Sequence, residues 1–229
     1  MDEIIDDEMP QAMRAFDAVA PGRFRSAVIQ IYRKLDSDLA SASTHVACQE
    51  GCSYCCYYRV EVTAAEALAL AEHVAVLPPE AKMRTATRLR ETASQVSTLT
   101  REQYEATNIR CAFLEGDRCS VYELRPVACR GHHSLSAAVC KDAFVDPTSA
   151  SMSPIDPFRN DTYLAYKSVM AVGQSVAGRD SVLYEMHGAV TEALANPAAA
   201  RRWRAGKVSF PPVTDRRTLS QAVSDAMHR

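Results

Sequence analysis

Glycine is scarce in this chain, with eight in 229 residues, and no Gly-x-Gly follows a strand-like stretch, so a Rossmann-type site has no support. Net charge is nearly absent too: a formal −2 gives no global pull toward nucleic acid or an anionic membrane. The first ten residues carry five acids and no base, and a secretory signal needs a basic start followed by an apolar run. Long apolar stretches are also missing. The longest, residues 64–77, is interrupted by Glu66, Glu72 and His73, too short and too charged to span a bilayer. A cytoplasmic protein away from the membrane is the expectation. At 47% hydrophobic residues, the chain can bury a core without any staple.

Cysteine is what the chain has in excess. Four fall within nine residues, at Cys48, Cys52, Cys55 and Cys56, and four more follow at Cys111, Cys119, Cys129 and Cys140. In a reducing compartment disulfides do not persist, and clustered thiols read as metal-binding or catalytic. The even count also suits four disulfides, a reading that requires an oxidising compartment. Unrelated core cysteines would not arrive as a run ending in a doublet.

The surrounding pattern is helical. Phe24, Val28, Ile31, Leu35 and Leu39 recur at steps of three and four, one face of a helix. Thr63 and Glu66 form a capping box for a helix reaching about Leu77, stopped by Pro78-Pro79. Met83, Ala86, Leu89, Ala93 and Val96 make a second stripe, with Arg84, Arg88, Arg90 and Glu91 toward solvent. Asn160 or Asp161 caps a helix through Tyr163, Tyr166 and Met170; Leu183, Met186, Val190 and Leu194 mark another, ended by Asn196-Pro197. Residues 58–62 alone alternate as a strand does. The cysteines fall outside these helices. Residues 111–140 form a long segment without sustained period, which a metal can organise in place of regular hydrogen bonding.

The expected fold is therefore mainly α: a single helical domain with two cysteine-rich metal-binding loops and at most a short strand pair. An acidic N-terminal segment (1–22) precedes the helical domain (23–206, with the cysteine cluster at 48–140), and a peripheral tail (207–229) follows.

Cys52-x2-Cys55 has the spacing of a metal knuckle, a tight turn aiming two sulfurs at one ion. Zinc and a [4Fe–4S] cluster each want four ligands, so the downstream cysteines are the natural complement. The neighbours Cys55 and Cys56 strain to close on one ion, so the doublet points to two metals, a multinuclear cluster, or one thiol in a supporting or redox role. His132 and His133 stand near Cys129 and are candidate ligands, with ordinary loop histidines the favoured alternative. Arg125 and Arg130 flank Cys129 and are candidate cofactor contacts, offsetting thiolate charge, against the alternative of surface ion pairs. The ligand ranking is Cys52, Cys55, Cys119 and Cys129 first, then Cys56 and Cys111, then Cys48 and Cys140.

At these residues the chain resembles the YkgJ-type cysteine-cluster family, described as zinc- or iron-chelating and including the flagellin lysine N-methylases. Cys48-x3-Cys52-x2-Cys55-Cys56 resembles the family's opening run. Cys111 and the stretch from Cys119 through Tyr122, Arg125-Pro126 and Cys129-Arg130 resemble its second block. The likeness covers about 48–134. It departs in having three residues between Cys48 and Cys52, where two are common, and Ala112 where proline is frequent. The resemblance implies bound zinc or iron, an iron–sulfur cluster included, and no single shared reaction.

Three functions compete. The first is a metal-binding protein whose ion or cluster is structural or passes electrons or metal to a protein partner. The second is an S-adenosylmethionine-dependent protein lysine N-methylase. Cys48-x3-Cys52-x2-Cys55 fits the radical version's spacing, but the chain lacks the repeated strand–helix units of the barrel that houses it. The third is nucleic-acid binding through Arg201, Arg202, Trp203, Arg204 and Lys207, the weakest, because basic residues in a helix's last turn suit its dipole anyway.

Overall fold

The computed structural model describes residues 1–20, 22–149 and 153–227. The helix face read from Phe24, Val28, Ile31, Leu35 and Leu39 is buried along its length and defines α2 (Phe24–Ala40). Before it, α1 (Asp2–Ala18) lays Ala12 and Phe16 into the same core, so the acidic first residues belong to a packed helix. Glu72 accepts the backbone N–H groups of Phe24 and Arg25 at 3.1 and 3.0 Å, supplying the cap that Arg23 cannot.

Next come β1 (Glu61–Thr63) and α3 (Ala64–Ala75), whose capping box between Thr63 and Glu66 is formed as read. α3 is buried nearly all round, with Ala65, Ala67, Ala69 and Ala71 letting neighbours approach closely. Pro79 then opens α4 (Pro79–Val96), where its missing N–H costs nothing. Leu89 and Val96 of the expected stripe are buried, whereas Met83 is 65% exposed. A short α5 (Arg101–Glu105) follows under its own Thr100 and Gln103 capping box.

The second cysteine segment is more ordered than its lack of period suggested. It contains a hairpin of β2 (Leu114–Glu115) and β3 (Arg118–Cys119), then α6 (Val127–Gly131) and α7 (Ala137–Val145). Each element is too short to show a period, which is why the sequence read as loop. α8 (Pro157–Val176) packs along α1 and α6 and carries Tyr166, Val169 and Met170 inward. Its cap is Asp156, which accepts the Arg159 N–H at 2.8 Å, and Pro157 sits at the first helical position; Asn160 and Asp161 lie inside the helix.

Leu183 belongs to β4 (Leu183–Glu185), and the helix predicted to include it begins later, as α9 (Met186–Ala195). Leu183 and Met186 stand three apart and imitate a helical face, but Glu185 caps α9 by accepting from His187 and Gly188 and fixes the boundary. After α10 (Ala199–Arg204), β5 (Arg216–Arg217) and α11 (Leu219–Met227) close the chain.

The mainly helical class holds, while the strands exceed one pair: an antiparallel sheet ordered β1-β4-β5, and the β2-β3 hairpin. β1 leads into α3 and β4 into α9, so pairing the strands sets these two helices face to face. The segment after Lys207 is not peripheral throughout. Ser209 and Phe210 are fully buried, and β5 pairs with β4. Trp203 is also core: its indole N–H donates to Gln174 at 2.8 Å and its ring meets Phe16 and Phe24 edge-on. It is therefore not the exposed stacking platform imagined in the basic stretch 201–204. No helix among the described residues is long and apolar enough to cross a membrane.

Candidate metal centre

The two cysteine segments are joined by their own backbones. The Cys111 N–H donates to the Cys56 carbonyl at 2.9 Å, and Ile109 reaches the Tyr57 carbonyl. Gly51, at φ +86°, turns the first segment into a 3₁₀ turn, Tyr54–Tyr57, that carries Cys55 and Cys56. Phe144 of α7 packs its ring on Tyr54 and Tyr57 at 5.5 and 4.9 Å, pinning that turn from outside. Gly116, at φ +58°, reverses the chain between β2 and β3 and places Cys119 opposite Leu114. Cys129 rides on α6, whose first N–H, from Val127, is accepted by Glu66 at 2.9 Å.

The outcome is a cavity of about 290 Å³ lined by Cys52, Cys55, Cys56, Cys111, Cys119 and Cys129, together with Arg125 and His132. Cys48 and Cys140 are not on its wall. Cys48 is exposed, and the Cys140 sulfur sits 3.7 Å from the Ser153 hydroxyl. All eight cysteines are free thiols. The cavity sulfurs surround a space rather than meeting at a point: among the described residues, no three His, Cys, Asp or Glu side chains are already gathered at the spacing one ion needs.

The innermost thiols are the hardest to ionise. Burial raises Cys129 well above the ordinary thiol value, and the sulfurs of Cys111, Cys119 and Cys56 add to the effect. Cys119 is pushed up to about 11, first by burial and then by Cys111 and Cys56. Burial and neighbouring sulfurs thus both penalise charge on Cys129 and Cys119, and a cation is welcome beside them because it offsets the two costs together. Within the doublet, Cys55 hydrogen-bonds to Cys56. That bond, with Arg110 and Arg125, holds Cys56 below the usual thiol value, while the same bond and burial raise Cys55.

The two flanking arginines part company. Arg125 lines the cavity with its guanidinium 4.1 Å over the Tyr122 ring, and its buried Nε has no hydrogen-bond partner. Arg130 turns to the scaffold instead. It donates to the carbonyls of Arg125 and Glu123 at 2.9 and 2.6 Å, pairs with Asp36, and lies over Tyr32. It clamps the 119–129 loop, and it was expected at the sulfurs only because it adjoins Cys129 in sequence.

The histidines divide likewise. His133 is fully used by the fold: Nδ1 donates to the Gly131 carbonyl at 2.8 Å and Nε2 accepts the Asp156 N–H at 2.9 Å. His132 lines the cavity, edge-on to Tyr58, and burial holds it below the usual histidine value, so it stays neutral and able to ligate.

Sequence reasoning missed one pair outright. Glu185 and His187 lie beside Cys111, with Glu185 Oε1 at 2.8 Å from His187 Nδ1, both residues almost wholly buried. Burial opposes charge on the ring, but the Glu185 carboxylate and a hydrogen bond with Cys111 outweigh it, and His187 is pushed up to about 10. No spacing connects positions 185–187 to the cysteines. The only trace in the sequence was a histidine and a glutamate on what read as a core face.

Residues 47–149 match the family model CxxCxxCC, described as "Putative zinc- or iron-chelating domain", a span that contains all eight cysteines. No curated protein and no solved structure matches the chain.

Proposed function

We propose that the cavity is the chelating site of the domain whose family model residues 47–149 match, and that its centre holds more than one metal atom. The observation that carries this reading is the convergence of six thiols from two distant segments on one cavity wall. One tetrahedral ion uses four ligands, and six thiols with a neutral imidazole exceed that number. Cys56, Cys111, Cys119 and Cys129 form the inner set, Cys52 and Cys55 the adjoining wall, and Arg125 offsets the negative charge. Cys48 and Cys140 lie off the cavity wall, beside Cys52, and are the outermost of the eight sulfurs.

The centre would be structural first, since it ties together two segments distant in sequence, and binding free energy here is folding free energy. Its wall reaches partly exposed Cys52 and the exposed Tyr122, so electrons or metal can also be passed to a protein partner at that edge. Methyl transfer gains no support from the fold. Among the described residues the strands are antiparallel and three residues or shorter, and there is no parallel sheet to bind the methyl donor.

The test is anaerobic purification followed by zinc and iron analysis and a visible spectrum. Two or more metal atoms per chain are expected. Dithionite-bleachable colour would mean iron–sulfur, and a colourless protein zinc. Cys129→Ser and Cys119→Ser should lose most of the metal, while Cys48→Ser and Cys140→Ser keep it. Protein free of zinc and iron, or full metal content in Cys129→Ser, overturns the proposal.

A further inference from the structure

We infer that α7 is a strap on the metal centre, and that Phe144 governs how fast metal enters and leaves by holding the turn that carries Cys55 and Cys56. The inference rests on the reading of those two cysteines as part of the chelating wall.

The run Tyr54-Cys55-Cys56-Tyr57 brackets the doublet with two aromatic rings. Cys55 and Cys56 line the cavity, whereas neither tyrosine does; both rings meet Phe144 instead, at 5.5 and 4.9 Å between centres. The turn is thus held between the cavity on one side and α7 on the other. Tyr57 has a second hold, because its carbonyl accepts the Ile109 N–H at 3.4 Å and its hydroxyl accepts from Arg110 at 3.0 Å. Tyr54 leans on the Phe144 ring.

α7 itself is lightly held. None of its residues is buried, and Val145, next to Phe144, is 72% exposed. The turn is its main packing partner. Two further ties are the Asn108 amide, which donates to the Phe144 carbonyl at 2.5 Å, and the contact of Cys140 with Ser153. A helix with so little buried surface opens at a lower free energy than the core beside it. When it lifts, the two tyrosines lose their shared partner and the turn can carry Cys55 and Cys56 off the wall. Phe144 is not on that wall, so it steadies the closed turn equally with metal and without. It therefore sets the rate of exchange rather than the strength of binding.

The experiment loads wild type and Phe144→Ala with Co²⁺ under argon. Release to excess EDTA is timed from the loss of the sulfur-to-cobalt band, and affinity is measured separately by chelator competition. Losing both ring contacts should speed release about 10- to 100-fold, while affinity stays within about threefold. An affinity that falls as far as release rises would make Phe144 a fixed support of the site, and an unchanged release rate would leave it no part in exchange. Either result overturns the strap. Hydrogen exchange on wild type decides the case even if Phe144→Ala does not fold. The Cys56 amide, which donates to the Ser53 carbonyl at 2.9 Å, should open together with α7 and well before α8. A Cys56 amide as protected as those of α8 overturns the strap and leaves the metal reading standing. Wild type that takes up no cobalt overturns the metal reading, and the strap with it.

Discussion

The Glu66 carboxylate accepts the Val127 backbone N–H at 2.9 Å, across 61 positions of sequence. The same oxygen accepts the Tyr32 hydroxyl at 3.0 Å, while the other completes the Thr63 cap. One buried side chain thus fixes the start of α3, the middle of α2 and the start of α6, the helix that carries Cys129. Glutamine offers one accepting oxygen where four donors converge, so Glu66→Gln must leave buried donors facing an NH₂ group. A loss of about 3 kcal/mol is expected from one or two unmet donors. Urea unfolding measures it, and faster labelling of Cys129 by a thiol reagent would show that α6 has loosened.

This junction also shows what the sequence makes legible. The Thr63 and Glu66 capping box is local, three residues apart, and was read correctly; its third function, holding Val127, is long-range and leaves no local mark. The buried face of α2 was legible for the same reason, as five apolar residues on one helix side. The two cysteine segments were legible as chemistry, although their convergence depends on a backbone bond between Cys56 and Cys111 that no pattern announces. Leu183 was misread because a three-residue strand running into a helix satisfies the helical spacing. His187 and Glu185 were invisible because single buried polar residues mean nothing until their partners are known.

The two arginines should separate in experiment. Arg130 is buried among carbonyls and Tyr32, and lysine cannot reproduce its forked donation, so Arg130→Lys should cost about 2 kcal/mol. Arg125 holds nothing together by hydrogen bonds through Nε, so Arg125→Gln should change stability by less than about 1 kcal/mol. Its charge favours the Cys56 thiolate, though less than the Cys55 hydrogen bond does, so its loss should slow alkylation of Cys56 in metal-free protein at neutral pH. Thermal melts and timed iodoacetamide labelling give the two readouts.

Acid should act on the sheet edge. Glu61 sits among Arg59, Arg101 and Arg217, and although burial opposes its charge, the bonds to Arg217 and Arg59 hold its carboxyl below the usual value. A carboxylate lowered by folding stabilises the protein above its unfolded value and loses that contribution as pH falls through the lowered one. Glu61→Gln should therefore cost about 3 kcal/mol at neutral pH, by stranding partly buried guanidinium groups. The gap between variant and wild type should close progressively below pH of about 4.3. Parallel denaturant titrations across that range test it, and a gap independent of pH would remove Glu61 as the cause.

Gly131 ends α6 where it crosses α8, and a methyl group there would overlap the ring and Cβ of Tyr163. Tyr163 lines the cysteine cavity, so the overlap cannot be relieved without moving part of the cavity wall or parting α6 from α8. Gly131→Ala should thus destabilise the chain by about 1–3 kcal/mol, despite alanine's better helix propensity. If the clash with Tyr163 is the whole cause, it disappears once that ring is gone. Tyr163→Ala alone leaves a hole beside Gly131, and the added methyl partly fills it, so the double variant should be no less stable than Tyr163→Ala. A coupling of about 1–3 kcal/mol between the two positions is the expected result of the double-mutant cycle. Additive losses would place the cost in the helix backbone instead and separate Gly131 from the packing of the cavity wall.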